Sequence, residues 1–332
     1  MTPSARVTIN GKEVSTKLIG EGGILESLSV TDEAGLKADA VEITIDDRDR
    51  YASAAKGDEI RVWLGYEPQP VYMGRFKVDS VRKSGPRRRM TVSAKAAEMT
   101  SAIKAAKSRS WAGKTLGEIA RTIAAEHRLS PSVAPELASL AIPHIDQQSE
   151  SDLAFLQRLA ARSGAVFKVA DGRLVLAKKG AKTLPSGEAK EAVVVRPEDC
   201  ESWDWESGGR ADYKAVVCTY RDGGKRKTVT AGGKDLKPKH RDRRLYGSKA
   251  EAEAAAKAQL ADFKRGKVSA RIETVVGRPD VFAEGNVTLA GFDDEVDAEY
   301  RVKSVRHTLD GGGLRSSVEL EIGGEVEGVV EE

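Results

Sequence analysis

Chemistry at a protein surface needs particular side chains at particular spacings, and this chain of 332 residues offers few such groupings. Its four histidines, His127, His144, His240 and His307, stand far apart. Neither they nor Cys200 and Cys218 show the paired spacing of a zinc site. A nucleophile elbow of the Gly-x-Ser-x-Gly type is missing from the sequence. Gly20-Glu21-Gly22-Gly23 lacks the Lys-Ser/Thr ending of a phosphate loop, and it reads as a flexible hairpin connection. Asp46-Asp47-Arg48-Asp49 gathers carboxylates as a calcium loop does, without the later Gly and closing Glu, and reads as a solvated turn with local charge pairing. Among 51 acidic residues some pair will always flank some cleft, so a carboxylate pair for general acid and base work carries no weight. No residue is therefore assigned to catalysis, to a cofactor or to a metal.

Two basic segments remain. One is Arg82-Lys83-Ser84-Gly85-Pro86-Arg87-Arg88-Arg89, and the other runs from Lys234 to Arg244. Either could meet phosphate, but neither has the interleaved aromatic residues on which single-stranded nucleic acid stacks. Both are expected to be loops, either solvated or touching an acidic partner, with Arg87, Arg88, Arg89, Lys237, Lys239 and Arg241 as the contact candidates. Trp203 and Trp205 alternate on one strand face and are expected in a core or at an interface.

The elements that must carry these residues are mostly strands. Arg6–Ile9, Val41–Ile45, Ile60–Leu64 and Met90–Ala94 alternate apolar and polar positions and are separated by Gly, Asn and Asp, which predicts an antiparallel barrel or sandwich. Helical spacing follows. Thr115-Leu116-Gly117-Glu118 is a capping box for a helix burying Leu116, Ile119, Ala120 and Ile123, and a second helix is expected to begin near Ser149 and end at Gly164. A hairpin turning at Asp171-Gly172 comes next, then a connector rich in Gly, Lys and Ser over 178–190. Ser248 caps a further Ala-rich helix ending at Gly266. The expected class is α+β, mainly β. The expected domains are a first barrel over 1–98, an α+β insert over 99–188, a second barrel over 189–325 carrying a helix at about 248–266, and a frayed acidic tail over 326–332.

The two strand-rich regions repeat one another. Arg75-Phe76-Lys77-Val78-Asp79-Ser80-Val81-Arg82 matches Glu299-Tyr300-Arg301-Val302-Lys303-Ser304-Val305-Arg306, and each run has a similar strand before it and another after it. Lysines and arginines number 54 against 51 acids, a net charge of +3, too balanced for a protein that coats nucleic acid. Apolar runs are too short for a membrane helix, and the N-terminus has no export signal, so the chain is expected to be made without secretion, with both cysteines reduced in the core.

The run Gln147-Gln148-Ser149-Glu150-Ser151-Asp152-Leu153-Ala154-Phe155-Leu156-Gln157-Arg158-Leu159-Ala160, followed by Gly164, Val166, Phe167 and Gly172-Arg173-Leu174, resembles a signature of the late control protein D family of contractile-tailed phages. It is also similar to the N-terminal region of the valine-glycine repeat proteins of type VI secretion. The resemblance implies a baseplate hub without an active site. It implies a homotrimer in which two barrels per subunit make a six-barrel ring, joining a sixfold tail tube to a threefold spike around a central channel. Tube, spike and baseplate wedge proteins are its implied partners, with the tape-measure protein and passing DNA as further contacts, and in such a ring the basic candidates Arg87, Arg88, Arg89, Lys237, Lys239 and Arg241 would either touch a partner or line the channel and lower its barrier for DNA. A virion tail assembled in the host cytoplasm is the implied location. The chain ends at Glu332 without a spike extension or lytic domain, so a separate spike protein is expected. A tail-borne cell-wall enzyme and an oligonucleotide-binding barrel are the rival readings.

Overall fold

The computed structural model describes residues 2–20, 22–35, 39–96, 103–170, 172–179, 193–208, 213–233, 235–265, 268–322 and 329–331. Asp171, Lys234, Gly266, nearly all of the connector from Gly180 on and the tail from Gly323, apart from its last strand, lie outside the described residues. In chain order the elements begin with β1 (Pro3–Ile9), β2 (Lys12–Glu13), α1 (Ser15–Ile19), β3 (Leu25–Glu33), β4 (Ala40–Asp46), β5 (Glu59–Tyr66), β6 (Val71–Ser84) and β7 (Arg89–Ala96). They continue with β8 (Ala106–Thr115), α2 (Leu116–Glu126), β9 (Ser130–Val133), α3 (Pro135–Ala138), β10 (Ala141–Ser151), α4 (Asp152–Arg162), β11 (Ala165–Ala170) and β12 (Arg173–Lys178). The rest are β13 (Val193–Val195), β14 (Cys200–Ser207), β15 (Ala215–Asp222), β16 (Lys225–Ala231), β17 (Lys239–Tyr246), α5 (Lys249–Arg265), β18 (Val268–Thr274), β19 (Asn286–Leu289), β20 (Ala298–Asp310), β21 (Gly313–Ile322) and β22 (Val329–Glu331). The class is α+β, mainly β. Among the described residues no helix is long and apolar enough to cross a membrane.

Contacts divide the chain into two units: Met1–Glu98 with Ala192–Trp205 and Ala270–Leu320, and Met99–Glu191 with Glu206–Ser269 and Glu321–Glu332. The region expected as one domain over 189–325 is thus shared between them. In the first unit the strands follow the order β14-β18-β21-β20-β3-β4-β7-β6-β5-β1-β2, with β13 and β19 branching from β20. The two repeated regions are joined directly, because β3 pairs antiparallel with β20 from Glu33↔Ser304 to Ser27↔Asp310. Each repeat is three sheet neighbours in sequence order, β5-β6-β7 and β19-β20-β21.

The odd spacing of Val78 and Val81 fits one core because the β6–β7 register slips between Val78 and Ser80, a bulge that turns both side chains the same way. Both pack against Leu28, Val30, Ile43, Ile60 and Leu64. In the second repeat Tyr300, Val302 and Val305 are buried at the matching positions. Arg301 departs from its exposed counterpart Lys77, since Arg301 is buried in a two-pronged pair with Glu284 at 2.6 Å from both Nε and Nη2.

The β1–β2 turn at Asn10-Gly11 has φ of 50° and 79°, the left-handed pair that a tight hairpin requires. Gly20 to Gly23 does not connect a hairpin. The segment ends α1, whose side chain Leu18 is buried, and Gly23 N–H donates to the Gly20 carbonyl.

The second unit holds β8–β10, β11–β12–β9 and β17–β15–β16–β22 sheets. The predicted capping box of α2 is present, with Glu118 N–H donating to Thr115 Oγ1 and Thr115 N–H to Glu118 Oε2. The other helix start is corrected: Ser151, not Ser149, is the N-cap of α4, and Ser149 still belongs to β10. Helix α5 lays Ala252, Ala255, Ala256 and Leu260 on Val216, Cys218 and Val229 of the sheet. Leu260 is fully buried, which is worth about 2 kcal/mol by area. The tail is not wholly frayed, because β22 pairs antiparallel with β16 from Ala231↔Val329 to Val229↔Glu331. Both cysteines are free. Cys218 is fully buried, which pushes its thiol up to about 12, whereas Cys200 is only half-buried.

Candidate functional site

The signature run proves to be a piece of scaffold built around one carboxylate. Strand β10 slips register against β8 between Gln147 and Glu150, with Ser149 at φ of 47° and its N–H held by Ser108 Oγ. That bulge delivers the chain to the Ser151 cap and turns Asp152 inward at the first position of α4, where its side chain has no exposure. Asp152 Oδ2 accepts from Lys107 Nζ at 2.6 Å and His127 Nε2 at 2.7 Å. Oδ1 accepts from Arg109 Nη2 at 2.7 Å and Gln147 Nε2 at 2.9 Å. Burial alone would raise this carboxyl; the donors, Lys107 foremost, overcome it and hold the group at about 2.

The neighbouring signature residues close the same structure. Gln147 Oε1 accepts from Arg109 Nε, Glu150 pairs with Arg158 at 2.6 Å, and Phe155 stacks on Trp111 at 6.0 Å between centroids. Glu126, His127 and Asp152 offer ligand atoms within 4.8 Å of one another, enough for a metal ion to be considered. The position between the two carboxylates is taken by the chain's own ammonium, because Lys107 Nζ lies 2.7 Å from Glu126 and 2.6 Å from Asp152. Arg109 bridges the same pair. Such a donor set is already neutralised and does not fit a metal centre.

One serine–histidine contact has the separation of a nucleophile and its base, Ser316 Oγ to His307 Nδ1 at 2.8 Å. It is a core fixture. His307 is 1% and Ser316 0% exposed, Nε2 donates to the Val281 carbonyl, and Ser316 Oγ accepts the Arg278 N–H. Burial lowers the His307 pKa, so the ring is neutral near pH 7.

The six basic candidates fall in two places. Arg87 and Arg88 lie in the β6–β7 turn and Arg89 opens β7. Asp47, expected to be solvated, is 1% exposed beneath this hairpin, 3.3 Å from Lys83 and 3.5 Å from Arg88. Its carboxyl is held low by Lys83, the Tyr51 N–H and Arg88, against the opposing effect of burial. Arg89 pairs with Glu26 at 2.5 Å. Arg87 has no acidic partner among the described residues. Lys237 sits in a bend, but Lys239 and Arg241 are not in a loop: they belong to β17, the edge strand of its sheet, opposite Ala215 and Val217. Trp205 is half-buried with Nε1 donating to Tyr300 Oη at 3.1 Å, and Trp203 is 44% exposed against Phe292. The signals missed in the sequence were the pairs of Asp47 with Lys83 and Arg88 and of Lys107 with Asp152, which join residues 36 to 45 positions apart.

This fold has relatives. It is similar to that of the 43 kDa tail protein of prophage MuSo2 from Shewanella oneidensis, with a TM-score of 0.70 at 15% identity, covering 98% of this chain and 100% of that one. A component of the type VI secretion system of E. coli shares it at a TM-score of 0.57 and 10% identity, over 96% of this chain and 76% of that one. The class so defined is a mainly β, α+β fold that a prophage tail protein and a secretion-system component share. In sequence, the chain is 28% identical over 366 residues to the probable baseplate hub protein of Escherichia phage 186, covering 97% of this chain and 93% of that protein. The family model of the phage tail baseplate hub (GPD) matches residues 41–312, and the chain belongs to that family.

Proposed function

We propose that the chain is the non-enzymatic hub of a contractile tail, a homotrimer that joins a sixfold tail tube to a threefold spike and encloses a central channel. The observation that carries this reading is the doubled meander: β5-β6-β7 and β19-β20-β21 are consecutive neighbours with matching buried positions. Three chains then present six similar units, so one ring can meet a sixfold partner on one side and a threefold partner on the other. Each meander would form the wall of one barrel. The partners are the tube, spike and baseplate wedge proteins, with the tape-measure protein and DNA passing through during delivery, and assembly takes place in the host cytoplasm. The hub works mechanically, holding tube and spike as the sheath contracts.

The test is native mass of the purified chain, alone and mixed with its spike protein. A species near 107 kDa, three times the 35.7 kDa chain, is expected in at least one sample after subtraction of the spike. A strict monomer in both overturns the trimeric reading.

A further inference from the structure

We propose that the groove in front of Trp203 and Trp205 receives the tip of the β6–β7 hairpin from a second copy of this chain, with Arg87 set against a cluster of carboxylates. The contact rests on the trimeric reading above and gives that trimer its subunit interface.

The groove, about 410 Å³, is lined by Trp203, Trp205, Asp293, Asp294, Glu295 and Val296, all in the first unit. Its walls are fixed. Trp205 donates to Tyr300, whose hydroxyl donates in turn to the Val296 carbonyl at 2.8 Å. The turn bearing the acids is tied by the Asp293 carbonyl, which accepts the N–H groups of Val296 and Asp297. Asp293, Asp294 and Glu295 are exposed, and none forms an ion pair among the described residues. Glu201 and Asp204 on the adjoining strand are exposed as well. Strand β14 ends the sheet path, so among the described residues no further strand pairs with its free edge. An exposed indole beside unneutralised carboxylates suits a guanidinium, which can lie on the ring while its fork bonds the acids.

The same unit carries the complementary shape. At the β6–β7 tip Lys83 and Arg88 are spent on Asp47, and that buried anchor stiffens the turn. Arg82 and Arg87 are exposed and have no acidic partner among the described residues. The hairpin therefore presents two unpaired guanidinium groups on a rigid mount, and the groove presents unpaired carboxylates. They do not satisfy each other within one chain, since no described cation pairs with the groove acids. A contact between two different patches of identical chains is head-to-tail, the kind of contact that closes a ring when the rotation between copies is a third of a turn.

Charge reversal in both patches tests this on the 332-residue chain by sedimentation equilibrium at low and physiological salt, in the sample, alone or with the spike, in which the wild type trimerises. R82E/R87E alone and D293K/D294K alone should each weaken self-association by about tenfold or more. The four substitutions together should restore most of it, and salt should weaken the wild-type contact. Unchanged association in either pair, or no recovery in the combined variant, overturns the contact while leaving the trimeric reading intact. A wild-type chain that is monomeric both alone and with its spike overturns both. If a reversal disturbs folding, as read by near-ultraviolet circular dichroism, R87Q and D294N replace it, and each should still show weaker association; wild-type strength in both sinks the proposal.

Discussion

Asp152 has no exposed surface and yet is ionised, which is possible only because Lys107, His127, Arg109 and Gln147 all donate to it. Its pKa falls from an ordinary 3.8 to about 2 on folding. A depressed carboxyl contributes stability above its unfolded pKa and loses it as pH drops through the folded value, so the contribution is full above about pH 4 and gone below about pH 2, worth roughly 2 kcal/mol. Asp152→Asn would leave Lys107 and Arg109 sharing Glu126 alone and should cost about 3 kcal/mol in urea unfolding at pH 7. The deficit should shrink toward pH 2, where the wild-type carboxyl is protonated too. An unchanged urea midpoint at pH 7 would mean that the network sets geometry without stabilising the fold. The signature run is visible as a string in the sequence, but its reason is not. Lys107, Arg109 and Glu126 come from β8 and α2, and only the fold shows that all three converge on Asp152.

Elements whose signals are local were legible; those set by distant partners were not. The α2 capping box is written in four consecutive residues, and Thr115→Ala should cost about 1 kcal/mol because the Glu118 N–H loses its acceptor. Thermal unfolding would show it, and Thr115→Ser should recover most of the loss. The α4 start was read two residues early because Ser149-Glu150-Ser151-Asp152 contains two serines able to cap. Pairing with β8 through Glu150↔Lys107 and Ser151↔Ala106 keeps the chain extended up to the second. Nothing within either segment tells β3 that its partner is β20, and a tail that reads as polar and Gly-rich conceals the three residues of β22. The candidate basic residues were found by composition, but their pairing was not, since Asp47 lies in a cluster whose local pattern looks solvated.

A net charge of +3 for the whole chain is compatible with basic clusters confined to single elements. Strand β17 places Arg241, Arg243 and Arg244 on an exposed edge, after Lys237 in the preceding bend. Charged residues on an edge strand discourage pairing with stray strands, so this set has a structural reason to exist whether or not DNA ever meets it. The two roles separate in delivery. If the proposed trimer encloses a channel and β17 faces it, reversing Arg241 and Arg243 to Glu should lower genome delivery, because a negative ring raises the barrier for a polyanion, while particle yield and morphology stay normal. If β17 only guards an edge, acidic residues guard it equally well and delivery is unchanged. The β6–β7 hairpin should behave in the opposite way: reversal at Arg82 and Arg87 should reduce the number of assembled particles, and the particles that do form should deliver normally. Electron-microscopic particle counts set against infectivity per particle distinguish the two surfaces, and the same defect from both would mean that the division of labour between them is wrong.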